Sequence, residues 1–199
     1  MYDDEFELTF DLSNEDEASR APEPEQEPVQ EAAPEPAAET EPPVEPVPEP
    51  AVPAANGRCV LISGGDRGIG AAAARAFWQA GYRVAVLYHT HAEAAAALEK
   101  ALPGLLAVQC DVASRASCEV AFHTVEQAVG HVDVLVSNAG IAQQKLFTDI
   151  TPEEWQHMLD VNLSGAFHLC QLALPGMIRR KAGRILTVSS MWGQTGGSC

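Results

Sequence analysis

The sequence has no long apolar run and, over its first quarter, almost no positive charge. Residues 1–55 contain 17 of the 28 acidic residues but one of the 12 lysines and arginines, whereas acids and bases balance over residues 56–199. A strongly acidic segment beside a neutral remainder argues against nucleic acid as a partner. The lack of about 18 consecutive apolar residues excludes a membrane-spanning helix. Because the acidic N-terminus lacks the regions of a signal peptide, we expect a cytoplasmic protein.

Cysteine is sparse and has no metal-binding spacing. The five cysteines, Cys59, Cys110, Cys118, Cys170 and Cys199, include no Cys-x-x-Cys pair and no histidines in a zinc pattern. We therefore expect small buried or incidental thiols in a reducing compartment, and no metal site.

The acidic segment is also rich in proline, with 11 of the 14 prolines in residues 1–55. Such a composition buries too little apolar surface to offset the chain entropy lost on folding. We predict that residues 1–55 form a disordered acidic, Pro-rich tail, with a partner that the sequence does not identify. Its first twelve residues alternate apolar and polar side chains, either by chance or as a strand that pairs with another protein. Residues 56–199 are enough for one domain.

This second part of the chain alternates short apolar runs with helical patterns. The apolar runs predict five strands, over residues 58–63, 82–88, 105–112, 132–140 and 184–190. Helices are predicted between them, over residues 71–81, 91–102, 114–130 and 151–183. Ser114 is the predicted N-cap of one helix, and Thr151 followed by Pro152 opens another. The alternation predicts an α/β domain with a doubly wound parallel sheet of the Rossmann type.

A glycine-rich turn, SGGDRGIG, occupies residues 63–70 between the first predicted strand and helix. Glycines allow the backbone to approach a pyrophosphate, and the N-terminus of the following helix attracts that anion. The position within a βαβ unit favours a dinucleotide site over a merely tight turn. The residues predicted to bind the dinucleotide here are Gly64, Gly65, Asp66, Arg67, Gly68, Ile69 and Gly70.

The end of the second predicted strand, LYHTH at residues 87–91, has no carboxylate. Sites for NAD usually place an Asp or Glu there to bind the ribose. Arg67 in the glycine turn offers a cation to a 2′-phosphate, and His89 or Thr90 adds further contacts. The sequence therefore favours NADP(H) as the cofactor.

Five short motifs, taken together, resemble the short-chain dehydrogenase/reductase family. They are Gly64-x-x-x-Gly68-Ile69-Gly70, Asp111-Val112, Asn138-Ala139-Gly140, Asn162 and Val188-Ser189-Ser190. The resemblance implies hydride transfer between a nicotinamide and a carbonyl or secondary alcohol. It also implies that Asp111 contacts adenine, that Asn138 and Gly140 line the cofactor path, and that Asn162 supports a proton-relay water. Val112 and Ala139, which belong to the same motifs, are predicted to bind the cofactor as well.

The resemblance further implies a catalytic serine, and a tyrosine that exchanges the proton beside a lysine four residues later. Ser190 matches the serine and is predicted to be catalytic, together with Asn162. No tyrosine in the chain is followed by lysine at that spacing: the tyrosines are Tyr2, Tyr82 and Tyr88. We therefore expect a fragment of a longer reading frame, incomplete at its C-terminus and inactive by itself.

Two further segments, QQKLFTDI and SSMWGQTGGSC, resemble 3-oxoacyl-(acyl-carrier-protein) reductases of this family. More narrowly, they are similar to the reductases that act on aminopentanone-modified elongation factor P. The resemblance implies a small-molecule or carrier-bound carbonyl substrate, a place in fatty acid biosynthesis and a homo-tetrameric full-length protein. The alternative is a non-catalytic nucleotide-binding or tethering protein whose acidic tail binds a partner. A Tyr-x-x-x-Lys shortly after Cys199 would favour the enzyme, and a stop codon would favour the alternative.

Overall fold

The structure, a computed structural model, describes residues 54–191 and 193, so most of the predicted acidic tail lies outside the described residues. The described residues form five strands and five α-helices that alternate along the chain. They are β1 (Cys59–Ser63), α1 (Gly68–Gln79), β2 (Arg83–Tyr88), α2 (Ala92–Ala101), β3 (Leu106–Gln109), α3 (Arg115–Val129), β4 (Val134–Ser137), α4 (Pro152–Leu159), α5 (Gly165–Arg180) and β5 (Arg184–Thr187). The predicted doubly wound α/β class is confirmed.

All five strands are parallel and lie in the order β3-β2-β1-β4-β5. The chain moves outward from β1 to β3 and then returns to pair β4 with the opposite edge of β1. The loops after β1 and β4 therefore lead to opposite faces of the sheet. In an open α/β sheet, ligands bind in the crevice that such a reversal leaves at the carboxyl ends of the strands.

The side chains of the central strands alternate between two apolar layers. Val60 and Ile62 pack with Trp78 of α1 and Leu98 of α2 on one face of the sheet. Leu61 belongs to the layer on the other face, which α3 and α5 cover. Every residue of β1 is buried, because the strand lies between two neighbours and under helices on both faces. This is why its sequence is a continuous apolar run rather than an alternating one.

Both N-cap residues that the sequence predicted, Ser114 and Thr151, are confirmed. The hydroxyl of Ser114 accepts a hydrogen bond from the backbone N–H of Ser117 at 3.3 Å. At the start of α4, the Thr151 hydroxyl accepts from the Glu154 N–H at 3.2 Å, and the Glu154 carboxylate accepts from the Thr151 N–H at 2.9 Å. This reciprocal capping box satisfies two donors that the first turn of the helix leaves open.

The helix predicted over residues 151–183 is divided in the structure. A π-helical turn, Asp160–Ser164, separates α4 from α5, which ends at Arg180. At Gly165 a side chain would stand 2.9 Å from Cγ2 of Val112, so the start of α5 lies against the loop after β3. The apolar periodicity continues through this turn, which is why the sequence pattern did not reveal it. Among the described residues, no helix is both long and apolar enough to cross a bilayer.

Strands β3 and β4 are shorter than predicted. The apolar patterns extended to residues 112 and 140, whereas the strands end at Gln109 and Ser137. The remaining residues of both patterns form loops at the carboxyl edge of the sheet. Cys110 and Val112 of the first loop are buried in the core layer that α3 and α5 cover, whereas Asn138 and Ala139 are half-buried and Gly140 is exposed.

Candidate functional site

A cleft of about 540 Å³ opens at the carboxyl ends of β1, β2, β3 and β4. Its wall consists of the loops that follow these four strands, the first turn of α1, and one residue each of α4 and the π-helical turn. Every predicted cofactor residue except Gly65 and Gly70 lines it: Gly64, Asp66, Arg67, Gly68, Ile69, His89, Asp111, Val112, Asn138, Ala139 and Gly140. The wall also contains Thr90, His91, Cys110, Ile141, His157 and Val161.

Close backbone approaches explain the glycines of the turn. Gly64 has φ +60°, which residues with a side chain rarely adopt, and a Cβ there would lie 3.0 Å from Cα of Ala139. A Cβ on Gly70 would overlap the carbonyl oxygen of Gly64, so α1 approaches the turn as closely as backbone atoms allow. Gly65 lies outside the cleft wall, where its missing side chain makes room for Val86 of β2.

The loops after β1 and β4 are joined by hydrogen bonds between Ser63 and Asn138. The buried hydroxyl of Ser63 accepts from the backbone N–H groups of Asn138 and Ala139, each at 3.0 Å. In return, Nδ2 of Asn138 donates to the carbonyl oxygens of Ser63 and Gly64, each at 3.0 Å. Asn138 thus holds the glycine turn in place as well as lining the cleft.

A second amide fixes the next part of the β4 loop. Oδ1 of Asn162 accepts from the N–H of Ile141 at 2.8 Å, and its Nδ2 donates to the carbonyl of the same residue at 3.0 Å. Asn162 lies in the π-helical turn, and Gly140 passes beside it, where a Cβ would stand 2.9 Å from Oδ1. The structure does not place Asn162 in the cleft wall. It places the amide directly behind Ile141, which is part of that wall.

Residues of α3 and α5 hold the loop after β3 in place. Oδ1 of Asp111 accepts from the N–H of Ala113 at 3.0 Å, and the Asp111 N–H donates to the hydroxyl of Ser117 in α3 at 3.0 Å. The Val112 carbonyl lies 3.1 Å from Nδ1 of His168 in α5, which donates because a carbonyl can only accept. These contacts keep Asp111 and Val112 at the cleft wall.

An acid, an imidazole and a guanidinium lie side by side at the β1 and β2 ends of the cleft. Nη1 of Arg67 is 3.2 Å from Nε2 of His91. Since a guanidinium has only donors, Nε2 accepts, and the ring proton lies on Nδ1, 3.6 Å from Oδ2 of Asp66. The Asp66 side chain is 6% exposed, and its Oδ2 accepts no hydrogen bond from the described residues. The cation of the glycine turn therefore has a carboxylate nearby, with His91 between them.

The predicted catalytic serine lies elsewhere. Ser190 is exposed on the loop that follows β5, where its carbonyl accepts from the N–H of Gly193 at 3.0 Å. It is not among the residues that line the cleft.

The sequence signature of the short chain dehydrogenase family matches residues 58–199, a range that includes all ten strands and helices named above. The chain belongs to the short-chain dehydrogenase family.

Several curated proteins are similar to this short-chain dehydrogenase. The acetoacetyl-CoA reductases of Shinella zoogloeoides and Rhizobium meliloti are 40% and 41% identical to it over 139 residues, which cover 70% of this chain and 57% of each relative. The 3-oxoacyl-[acyl-carrier-protein] reductase MabA of Mycobacterium avium is 40% identical over 144 residues, 71% of this chain and 53% of MabA. The chain thus spans about half the length of the curated relatives it matches.

Sequence reasoning did not single out His91 or Cys110 for the cleft. His91 lies in the LYHTH segment, but its contact with Asp66 and Arg67 depends on how the β1 and β2 loops meet. Cys110 directly precedes Asp111, and that adjacency was the signal that could have indicated it.

Replacing Asn138 by alanine tests the junction between the β1 and β4 loops. We expect Asn138→Ala to lower the free energy of unfolding by about 1–3 kcal/mol, because two carbonyls lose their donor. Amide hydrogen exchange over residues 63–70 should accelerate as the turn loosens. Denaturant unfolding and exchange mass spectrometry measure the two effects.

The matched control is Asn56→Ala. Asn56 donates from Nδ2 to the Ala80 carbonyl at 2.9 Å and accepts from the Arg58 N–H at 2.9 Å, so it also bonds to backbone. Its loss should leave exchange over residues 63–70 unchanged. Equal exchange in the two variants would show that Asn138 does not hold the turn.

Proposed function

We propose that this short-chain dehydrogenase is a cytoplasmic, NADP(H)-dependent reductase of 3-oxoacyl thioesters, and that the described domain binds its dinucleotide. The cleft at the carboxyl ends of the central strands, built around the close approach of Gly64 and Gly70, carries the proposal. The substrate class is supported by relatives named as acetoacetyl-CoA and 3-oxoacyl-[acyl-carrier-protein] reductases. The carbonyl is therefore that of a CoA-bound or carrier-bound acyl chain.

The residues of the cleft fit a dinucleotide. Helix α1 begins at Gly68, which lines the cleft, so the positive end of the helix lies at the wall where a pyrophosphate would bind. Oδ2 of Asp66 is buried, accepts no hydrogen bond from the described residues and lies 3.6 Å from Nδ1 of His91, so it is an acceptor for a hydroxyl or amino group of the ligand. Asp111 and Val112 would hold the adenine, and the loop after β4 would follow the cofactor path. When bound, the nicotinamide supplies the hydride.

Arg67 supports NADP(H) rather than NAD(H). Its guanidinium is at the exposed edge of the cleft, and the contact with His91 involves Nη1 alone of its three nitrogens. The segment after β2 contributes histidines and a threonine instead of the carboxylate that a ribose hydroxyl requires. Asp66 faces His91 across 3.6 Å, so the imidazole lies between this carboxylate and the cation.

Ser190 and Asn162 are the proposed catalytic residues of this chain. The Ser190 hydroxyl would donate to the carbonyl oxygen of the substrate, on which negative charge grows as hydride arrives. Asn162 would support the proton relay while its side chain holds Ile141 at the cleft wall. A phenol ordinarily ionises near pH 10, so the tyrosine that the family uses needs the positive charge of its lysine partner.

We further propose that the full-length protein is a homo-tetramer and that its acidic tail binds a different partner. Leu163, Phe167, Leu174 and Ile178 are exposed apolar residues at spacings of four, seven and four. These spacings put them on one side of a helix. Burial of that side against a second copy would remove it from water.

The activity test measures NADPH oxidation with an acetoacetyl thioester. We expect no turnover from the 199-residue chain, because it has no Tyr-x-x-x-Lys to exchange the proton. The protein encoded by the complete reading frame should turn over. Turnover by the 199-residue chain would contradict the proposed proton donor. Dinucleotide binding without turnover by the full protein would favour the non-catalytic alternative.

In the active protein we expect Ser190→Ala to lower kcat by about 100- to 1,000-fold, because the developing oxyanion loses a donor. Ser189→Ala is the matched control and should retain kcat. If Ser189→Ala loses activity and Ser190→Ala does not, the wrong serine of the pair has been assigned.

Replacing Arg67 by alanine tests the cofactor preference. One charge-assisted hydrogen bond contributes roughly 1.5–3 kcal/mol, so we expect the unmutated protein to bind NADPH about ten- to a hundredfold more tightly than NADH. Arg67→Ala should remove most of this preference by weakening NADPH and leaving NADH nearly unchanged. Fluorescence titration of both cofactors gives the dissociation constants.

Arg75→Ala is the control, since Arg75 is an exposed arginine of α1 outside the cleft wall. It should leave both dissociation constants unchanged. Equal affinities of the unmutated protein for NADH and NADPH, or equal losses in Arg67→Ala, would contradict the assignment of NADP(H).

A further inference from the structure

Two cysteines that are eight residues apart meet behind the wall of the cleft. Sγ of Cys110 donates a hydrogen bond to Sγ of Cys118, 4.0 Å away. Cys110 follows β3 and is part of the cleft wall with 3% of its surface exposed, whereas Cys118 lies in the first turn of α3 and is fully buried. The sequence predicted buried thiols without a role and did not pair these two.

The pair is linked to the residues proposed to hold the adenine. Sγ of Cys118 donates to the Val112 carbonyl at 3.5 Å and lies 3.9 Å from the carbonyl of Asp111. The backbone between the two thiols therefore includes the Asp111–Val112 segment, and one thiol directly supports it.

We propose that Cys110 and Cys118 form a peroxide-oxidisable dithiol whose disulfide reshapes the Asp111–Val112 wall and weakens dinucleotide binding. The effect on binding rests on the proposed function, whereas formation of the disulfide does not. The oxidant is a hydroperoxide, small enough to enter the cleft and reach Cys110.

The reaction balances with hydrogen peroxide as the oxidant. The Cys110 thiolate attacks one peroxide oxygen, the O–O bond breaks, and the departing hydroxide takes up a proton to give water. Cys118 then attacks the Cys110 sulfenic sulfur: the S–S bond forms, the S–O bond breaks, and a second water leaves with the Cys118 proton. Two thiols are oxidised by two electrons, and one peroxide is reduced to two waters.

The surroundings favour Cys110 as the attacking sulfur. Cys118 lowers the pKa of the Cys110 thiol, because its S–H can turn from the Val112 carbonyl and donate to the Cys110 thiolate once that thiolate forms. The same hydrogen bond, together with burial, raises the pKa of Cys118, so the inner sulfur stays protonated until it resolves the sulfenic acid. Burial raises the pKa of Cys59 to about 11, which leaves that thiol unreactive.

The geometry requires a modest movement. A disulfide bond is about 2.05 Å long, so the sulfurs must approach by about 2 Å, through rotation of the two side chains and a small shift of α3. Bond formation removes the Cys118 S–H and with it the donor to the Val112 carbonyl. Loss of one such hydrogen bond in a wall that holds the ligand corresponds to about a tenfold loss of affinity.

Tryptic peptide mapping detects this disulfide without ambiguity. Cleavage after Lys100, Arg115 and Lys145 places Cys110 on the peptide of residues 101–115 and Cys118 on that of residues 116–145, each with one cysteine. After hydrogen peroxide and alkylation, the two peptides should be cross-linked in the unmutated protein. Dithiothreitol should separate them again.

Three variants show which thiol is oxidised first and whether the disulfide joins these two cysteines. Cys118→Ser should form no cross-link and should accumulate a Cys110 sulfenic acid that dimedone traps. Cys110→Ser should form neither product. Cys170→Ser, the matched control at a thiol outside the cleft wall, should cross-link at the unmutated rate. Absence of the cross-link in the unmutated protein, or a sulfenic acid at Cys118 instead of Cys110, would overturn the proposal.

The functional consequence is measured on the oxidised, isolated protein. We expect NADPH affinity to fall about tenfold and to recover with dithiothreitol, and amide exchange over residues 110–114 to accelerate. Unchanged exchange in the cross-linked protein would overturn the link between the thiols and the wall. If the reduced protein binds no dinucleotide, the proposed function fails, and cross-linking and exchange still decide the proposal about the thiols.

Discussion

The hydrogen bonds between Ser63 and Asn138 hold together the two loops between which the cleft opens. The strand order reverses between β1 and β4, so the backbone after each strand leaves toward a different face of the sheet. The Ser63 hydroxyl accepts from two backbone N–H groups of the loop after β4, and the Asn138 amide donates to the carbonyls of Ser63 and Gly64. All four bonds are part-buried, and an unpaired polar group in such a place costs more free energy than a hydrogen bond contributes. The two loops that border the cleft are therefore fixed relative to each other.

The two sides of the cleft differ in chemistry. At the β1 and β2 ends, Asp66, His91 and Arg67 lie side by side, with the imidazole between the carboxylate and the guanidinium. At the β3 end, Cys110 and Val112 form an apolar, polarizable wall that α3 supports from behind. In the proposed orientation, the flat adenine of the dinucleotide lies against this β3 wall.

Features that depend on neighbours in the chain were predictable from the residues alone. Ser114 and Thr151 act as N-caps because the donors they satisfy are three residues away. The buried strands were recognisable as apolar runs, and the glycine turn was recognisable because three glycines between a strand and a helix permit close backbone approach. The division of the last long helix into α4 and α5 was not predictable from the sequence. The π-helical turn lies where Gly165 allows α5 to contact Val112, which is more than fifty residues earlier in the chain.

The sequence by itself determined the fold class, the position of the glycine turn and the family to which the chain is similar, because periodicity and turn chemistry act over a few residues. Only the tertiary structure decided which side chains meet across the cleft. Asn138 reaches Ser63 from 75 residues away, and His91 reaches Arg67 from 24. Cys110 and Cys118 are close in the chain, yet their sulfurs meet only because α3 packs against the end of β3. Such contacts follow from how strands are ordered and helices are packed, so no pattern of neighbouring residues in the sequence predicts them.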